Sequence, residues 1–148
     1  MFDLFQITAE QVAEFQQNGA VCLRQVFSPD WVRRVEKGVE KVLQSPSAWS
    51  ESLSAEGGSG KYFNDYCQWR RIPEFEDYVF NSEAAAIVGQ LMQSEEVAFY
   101  HEHVLIKEAG TNKKTPWHVD QTYYPINGSK VRMLITQSLC SHHSVWCT

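Results

Sequence analysis

His118 and Asp120 stand two residues apart in the run Thr115-Pro116-Trp117-His118-Val119-Asp120-Gln121. An imidazole nitrogen and a carboxylate oxygen are donors for a divalent transition metal, and a His-x-Asp pair is two-thirds of the 2-His-1-carboxylate facial triad. That triad leaves coordination positions open on non-haem Fe(II), which is where O₂ and a chelating acid can bind. On an extended segment the two side chains leave the same face, roughly 6.6–6.8 Å apart along the chain. A surface His hydrogen-bonded to a neighbouring carboxylate has the same spelling, so the pair alone does not decide between the two readings.

Two other clusters carry ligand-type residues. His101 and His103 flank Glu102 and share one side of an extended segment, the pattern of a His-x-His metal pair. Cys140, His142, His143 and Cys147 crowd the last nine residues. Zinc takes N and S ligands, but its usual sites separate two ligand pairs by a long connector, and this octet has none. With Cys22 and Cys67 the chain has four cysteines and no C-x-x-C spacing, which reads as reduced thiols in a chain long enough to fold without staples.

The elements that must position these residues are written in local signals. Thr8-Ala9-Glu10-Gln11 has the form of a capping box, and the apolar stripe behind it stops before Asn18-Gly19, predicting a short first helix. Ser28-Pro29-Asp30 opens a second helix, whose Val32, Val35, Val39, Val42 and Leu43 recur at helical spacing to about Gln44. Pro73-Glu74-Phe75-Glu76 and Ser82-Glu83-Ala84 start two more. Residues 20–26 are β-prone, and VAFYHEHVLIK at 97–107 reads as a strand. A further strand is expected around Trp117–Asp120, and another from near Lys130 after the turn dipeptide Asn127-Gly128. Residues 45–60, rich in Ser and Gly, read as a mobile surface loop. Helices followed by strands make an α+β domain, taken as a single domain over 1–148.

Composition narrows the function classes. At 148 residues and 43% apolar content the chain supports one core. Its longest apolar run, Ala84–Val88, is far short of the roughly 20 residues that cross a bilayer, so no membrane role is expected. The first ten residues lack a basic segment and an apolar run, which points to a cytoplasmic protein. A net charge of −5 without a basic cluster argues against nucleic acid as a partner.

The wider segment FYHEHVLIKEAGT…TPWHVDQTYYPING resembles the phytanoyl-CoA dioxygenase family, in which an aromatic strand ending in Lys-Glu-x-Gly precedes a Trp-His-x-Asp metal motif and a Tyr-Tyr-Pro run. The likeness extends back through FNDYCQWRRIPEFEDYVFNSEAAAIVGQLM to FQQNGAVCLRQVFSPDWV, covering about residues 8–131. It implies N-terminal helices followed by a double-stranded β-helix (jelly roll), here incomplete. It also implies a dioxygenase that uses Fe(II), O₂ and 2-oxoglutarate to hydroxylate an unactivated C–H bond of a small organic substrate. His118 and Asp120 match the family's first two iron ligands, and Lys61 and His103 match positions that contact 2-oxoglutarate. Trp117, Tyr123 and Tyr124 either line the pocket or pack as core.

The chain also departs from the family. A jelly roll has about eight strands, more than this sequence announces. The family's third iron ligand and its 2-oxoglutarate-binding Arg come from late strands, and no Arg follows Arg132. From about 132 to 148 the composition changes to RMLITQSLCSHHSVWCT, an atypical tail that reads as a truncated gene model or a shifted reading frame. The expectation is an incomplete and inactive enzyme as this chain stands. The alternatives are a non-catalytic metal or small-molecule binding module on the same fold, or an unstable fragment with exposed strand edges.

Overall fold

The four helices form where the sequence announces them, the first two with side-chain caps and the other two without. In the computed structural model, which describes residues 5–53, 59–112, 114–128, 130–140 and 143–147, α1 spans Ala9–Asn18 with the Thr8 capping box formed in both directions. Helix α2 spans Pro29–Gln44, with the Ser28 side chain accepting from Trp31 N–H, and α3 and α4 span Pro73–Asn81 and Ala84–Met92. Val35, Val39 and Val42 from α2 are buried, as are Ile72, Phe75, Ile87 and Leu91. Helix α2 packs on α3, α1 on α4, and α3 on α4. Gly38 admits this packing, since a Cβ there would lie 2.5 Å from Cε1 of Phe75. No helix among the described residues is long and apolar enough to cross a membrane.

The strands are β1 Glu51–Leu53, β2 Tyr62–Tyr66, β3 His103–Glu108, β4 Thr136–Cys140 and β5 His143–Cys147. They form one antiparallel sheet in the order β1-β2-β3-β5-β4. The architecture is therefore α+β, and the described residues contain this one sheet. The chain divides into two compact units, a helical one (1–45 and 67–101) and a sheet-bearing one (46–66 and 102–148).

Several sequence expectations need correction. Residues 20–26 form no strand, and the strand expected over 97–107 is confined to His103–Glu108. The strand expected from Lys130 begins only at Thr136. The segment around Trp117–Asp120 is not a strand: residues 114–119 are irregular and Asp120–Tyr123 is a turn of 3₁₀-helix. Pro116 withholds a ladder donor, and Val119 O accepts from both Thr122 N–H and Thr122 Oγ1 at 3.2 and 2.7 Å, closing the turn instead. The stretch read as a loop at 45–60 contributes β1, while 54–58 lie outside the described residues.

Strand alternation sorts the central residues into two faces. Tyr62 pairs with Lys107, Asn64 with Leu105 and Tyr66 with His103, so these six share one face. Val104 and Ile106, at 0% and 2% exposure, lie on the other face with Phe63 and Asp65. Asp65 is itself fully buried, and its carboxylate accepts from Ser47 N–H, Ser47 Oγ–H and Tyr66 N–H. That satisfies the charge locally, as a buried carboxylate requires.

Candidate metal centre

The turn, not a pleated strand, brings His118 and Asp120 together. Nε2 of His118 lies 2.9 Å from Oδ1 of Asp120, and Nδ1 lies 2.8 Å from the carbonyl oxygen of Pro116. The Pro116 carbonyl can only accept, so Nδ1 carries its hydrogen. In the neutral imidazole Nε2 is then a bare lone pair, and it faces a carboxylate oxygen that is also an acceptor when ionised. The arrangement is favourable only with a cation on Nε2, either a second proton or a metal ion. The carbonyl behind Nδ1 is the usual way a metal-binding His has its tautomer and ring orientation set.

The donor spacing fits an ion. Two donors each about 2.1 Å from one metal and at right angles to each other are about 3 Å apart, close to the 2.9 Å observed. Both side chains are near 40% exposed, so the pair is reachable from solvent. Around it, Tyr123 meets the His118 ring edge-on at a centroid distance of 5.8 Å. Trp117 is fully exposed and Tyr123 70% exposed, so neither packs as core. No group of three His, Cys, Asp or Glu placed to hold one metal occurs among the described residues. Two donors fit, and a third is not found there.

His103 does not join this pair. Its Nε2 lies 3.0 Å from Oδ1 of the buried Asn64, and its ring stacks on Tyr66 at 4.2 Å. Asn64 and Tyr66 were not singled out in the sequence, yet the alternation of Tyr62-Phe63-Asn64-Asp65-Tyr66 was the signal that could have placed them beside His103. Burial pushes the Tyr66 phenol above its ordinary value, and the neighbouring Glu51, Tyr62, Tyr124 and Asp65 push it the same way. Tyr124, of the Tyr-Tyr-Pro run, is thus within electrostatic reach of Tyr66.

Lys61 lies just before β2, exposed, with its N–H donating to Oε2 of Glu108 at 2.9 Å. It sits beside Glu108 at one end of the β2–β3 pair, whereas His103 stands opposite Tyr66 at the other. Five strand positions separate them, roughly 17 Å, so the structure does not bring Lys61 and His103 together. His101 precedes β3 and lies outside its ladder, and no group of three metal-type donors containing His101 and His103 occurs among the described residues. In the tail, Cys140 pairs with His143 across the β4–β5 hairpin and Thr136 with Cys147, while His142 lies outside the described residues.

The family model for phytanoyl-CoA dioxygenase matches residues 15–146. The match runs past Val131, where the sequence reading had the likeness stop, and takes in the tail through Trp146. No curated protein and no solved structure matches the chain. Members of the matched family are typically oxygenases acting on small molecules with O₂, and generally depend on Fe(II) and 2-oxoglutarate. With its metal-type donor pair lying inside a match that covers most of its length, the chain belongs to the phytanoyl-CoA dioxygenase family.

Proposed function

We propose that this protein is a 2-oxoglutarate-dependent dioxygenase whose iron is held by His118 and Asp120. The observation that carries the reading is the approach of Nε2 of His118 to Oδ1 of Asp120 at 2.9 Å, with Nδ1 turned to the Pro116 carbonyl. When bound, Fe(II) with 2-oxoglutarate and O₂ supplies the oxidising power to hydroxylate an unactivated C–H bond. The chain's own residues bind and orient. Pro116 O fixes the tautomer that leaves Nε2 a ligand, and Asp120 supplies the anionic donor. Trp117, Val119 and Tyr123, all exposed, offer apolar surface beside the pair to an organic substrate.

His103 and Lys61 are the proposed cosubstrate contacts, and their offset along the sheet makes them separable. Loss of 2-oxoglutarate affinity in His103→Ala but not Lys61→Ala assigns the carboxylate to the face that also bears Tyr66 and Asn64; the reverse assigns it to the Glu108 end. The sheet described here is proposed as one part of a double-stranded β-helix. All of residues 1–148 are proposed to serve one phytanoyl-CoA dioxygenase-type domain.

The test is titration with Co(II) or Fe(II) under anaerobic conditions, followed by 2-oxoglutarate-dependent succinate formation. Binding in the parent chain with loss in both His118→Ala and Asp120→Ala supports the reading; binding that survives both substitutions overturns it. A second reading, a metal-binding module without oxygenase activity, is favoured by the finding of two donors, not three, among the described residues. Metal binding without O₂ consumption would select it.

A further inference from the structure

We propose that Lys107 is a positioning residue that holds the segment carrying His118 and Asp120 against the sheet, with Thr115 as its catch. The segment leaves β3 through a turn whose backbone lies close against Gly60. A Cβ at Gly60 would lie 2.5 Å from Ala109 O and 2.6 Å from Thr111 N, so the 59–61 backbone is in direct contact with the turn. Gly110 has φ +86, a conformation that other residues rarely adopt. The same turn is clamped by Lys61 N–H donating to Oε2 of Glu108 and by Glu108 N–H donating to Lys61 O, both at 2.9 Å.

The second tie comes beyond the turn. Nζ of Lys107 donates to Oγ1 of Thr115 at 2.9 Å, and it lies 4.7 Å from the centre of the Tyr62 ring. Tyr62 is 8% exposed and is the cross-strand partner of Lys107, so the ammonium is itself fixed from the sheet side. The chain from 108 to 115 is therefore anchored at both ends to neighbouring points on β3. His118 follows three residues after the second anchor and Asp120 five. In an irregular segment with no ladder of its own, this tie sets where the 3₁₀ turn starts.

The tie can be measured without any metal, while its consequence for metal affinity rests on the function proposed above. Backbone ¹⁵N relaxation of residues 114, 115 and 117–119 is compared in the parent, Lys107→Met, Thr115→Val and Thr115→Ser. The expected result is an order parameter near 0.8 or above in the parent and in Thr115→Ser, falling to about 0.6 or below in Lys107→Met and Thr115→Val, with β3 amides unchanged. Thr115→Val keeps the side-chain shape and lies outside the sheet, so it decides the matter should Lys107→Met fail to fold. Equal order in the parent and Thr115→Val overturns the proposal. In parallel, Co(II) affinity is expected to fall roughly tenfold in Thr115→Val, the scale of losing an outer-sphere support. Unchanged Co(II) affinity in a loosened variant overturns the positioning role. A parent that binds no Co(II) but whose segment loosens overturns the metal reading and leaves the tie standing.

Discussion

His118 is held by Pro116 from its own chain, two residues back, so most of its geometry is local. Asp120 completes the pair from within the same turn, and its charge is what makes the site attractive to a cation. Asp120→Asn keeps the shape and removes the charge; Co(II) affinity is expected to drop at least roughly tenfold, read by the ligand-field absorbance of the bound ion. Unaltered affinity would mean that the carboxylate is no ligand. Tyr66 offers a second residue-scale test. Its phenol is held above the ordinary value of 10.0 by burial first and by Glu51 next. A group whose folded value is raised contributes stability that is present below its unfolded value and lost as pH rises through the folded one. The ultraviolet titration of the parent should therefore contain a late phenol step that Tyr66→Phe removes and Glu51→Gln moves down. The same titration in all three proteins would exclude the effect. The Trp-His-x-Asp run was legible in the sequence because neighbours along the chain make it. The setting of His103 was not, because Asn64 and Tyr66 reach it only across a strand pair.

The helices were legible as elements because caps and apolar spacing are short-range instructions. Helix α2 shows how packing then overrides propensity. Ala is favoured over Gly inside a helix by about 1 kcal/mol, yet a Cβ at Gly38 would meet Phe75 at 2.5 Å, and overpacking costs roughly 1–3 kcal/mol. Gly38→Ala is expected to lower stability by about 1 kcal/mol in urea denaturation; a gain would show that Phe75 yields freely. The same pair of helices is joined by Lys41, whose Nζ donates to both carboxylate oxygens of Glu74 at 2.6 and 2.8 Å. That hydrogen bond holds the Glu74 carboxyl below its ordinary value of 4.5. The sign is opposite to that of Tyr66: the stabilisation is present above the unfolded value and lost as pH falls through the folded one. Lys41→Met should cost roughly 1–3 kcal/mol at pH 7 and progressively less below pH 4, by denaturation at both pH values. A pH-independent difference would rule the pair out as its source. The irregular segment was expected to be a strand because Trp117 and Val119 are β-prone, and only the Val119–Thr122 bonds decide for a turn.

The whole molecule is a helical unit and a sheet-bearing unit, and the candidate metal pair belongs wholly to the second. A ligand that binds only the folded state stabilises it by about 2.7 kcal/mol at a hundred times its dissociation constant. Saturating Co(II) is accordingly expected to raise the thermal midpoint of the parent and not of His118→Ala. Its amide-exchange protection is expected to concentrate in 46–66 and 102–147; protection confined to the helices would contradict the site. What the sequence determined by itself was the family, carried by motifs along most of the chain, and the four helices and the nearness of His118 to Asp120, which are encoded in neighbours within a few residues. How the sheet is ordered and where Lys61 and His103 fall along it were decided only by tertiary structure. Strand partners are chosen by contacts between residues tens of positions apart, and no local pattern carries that register.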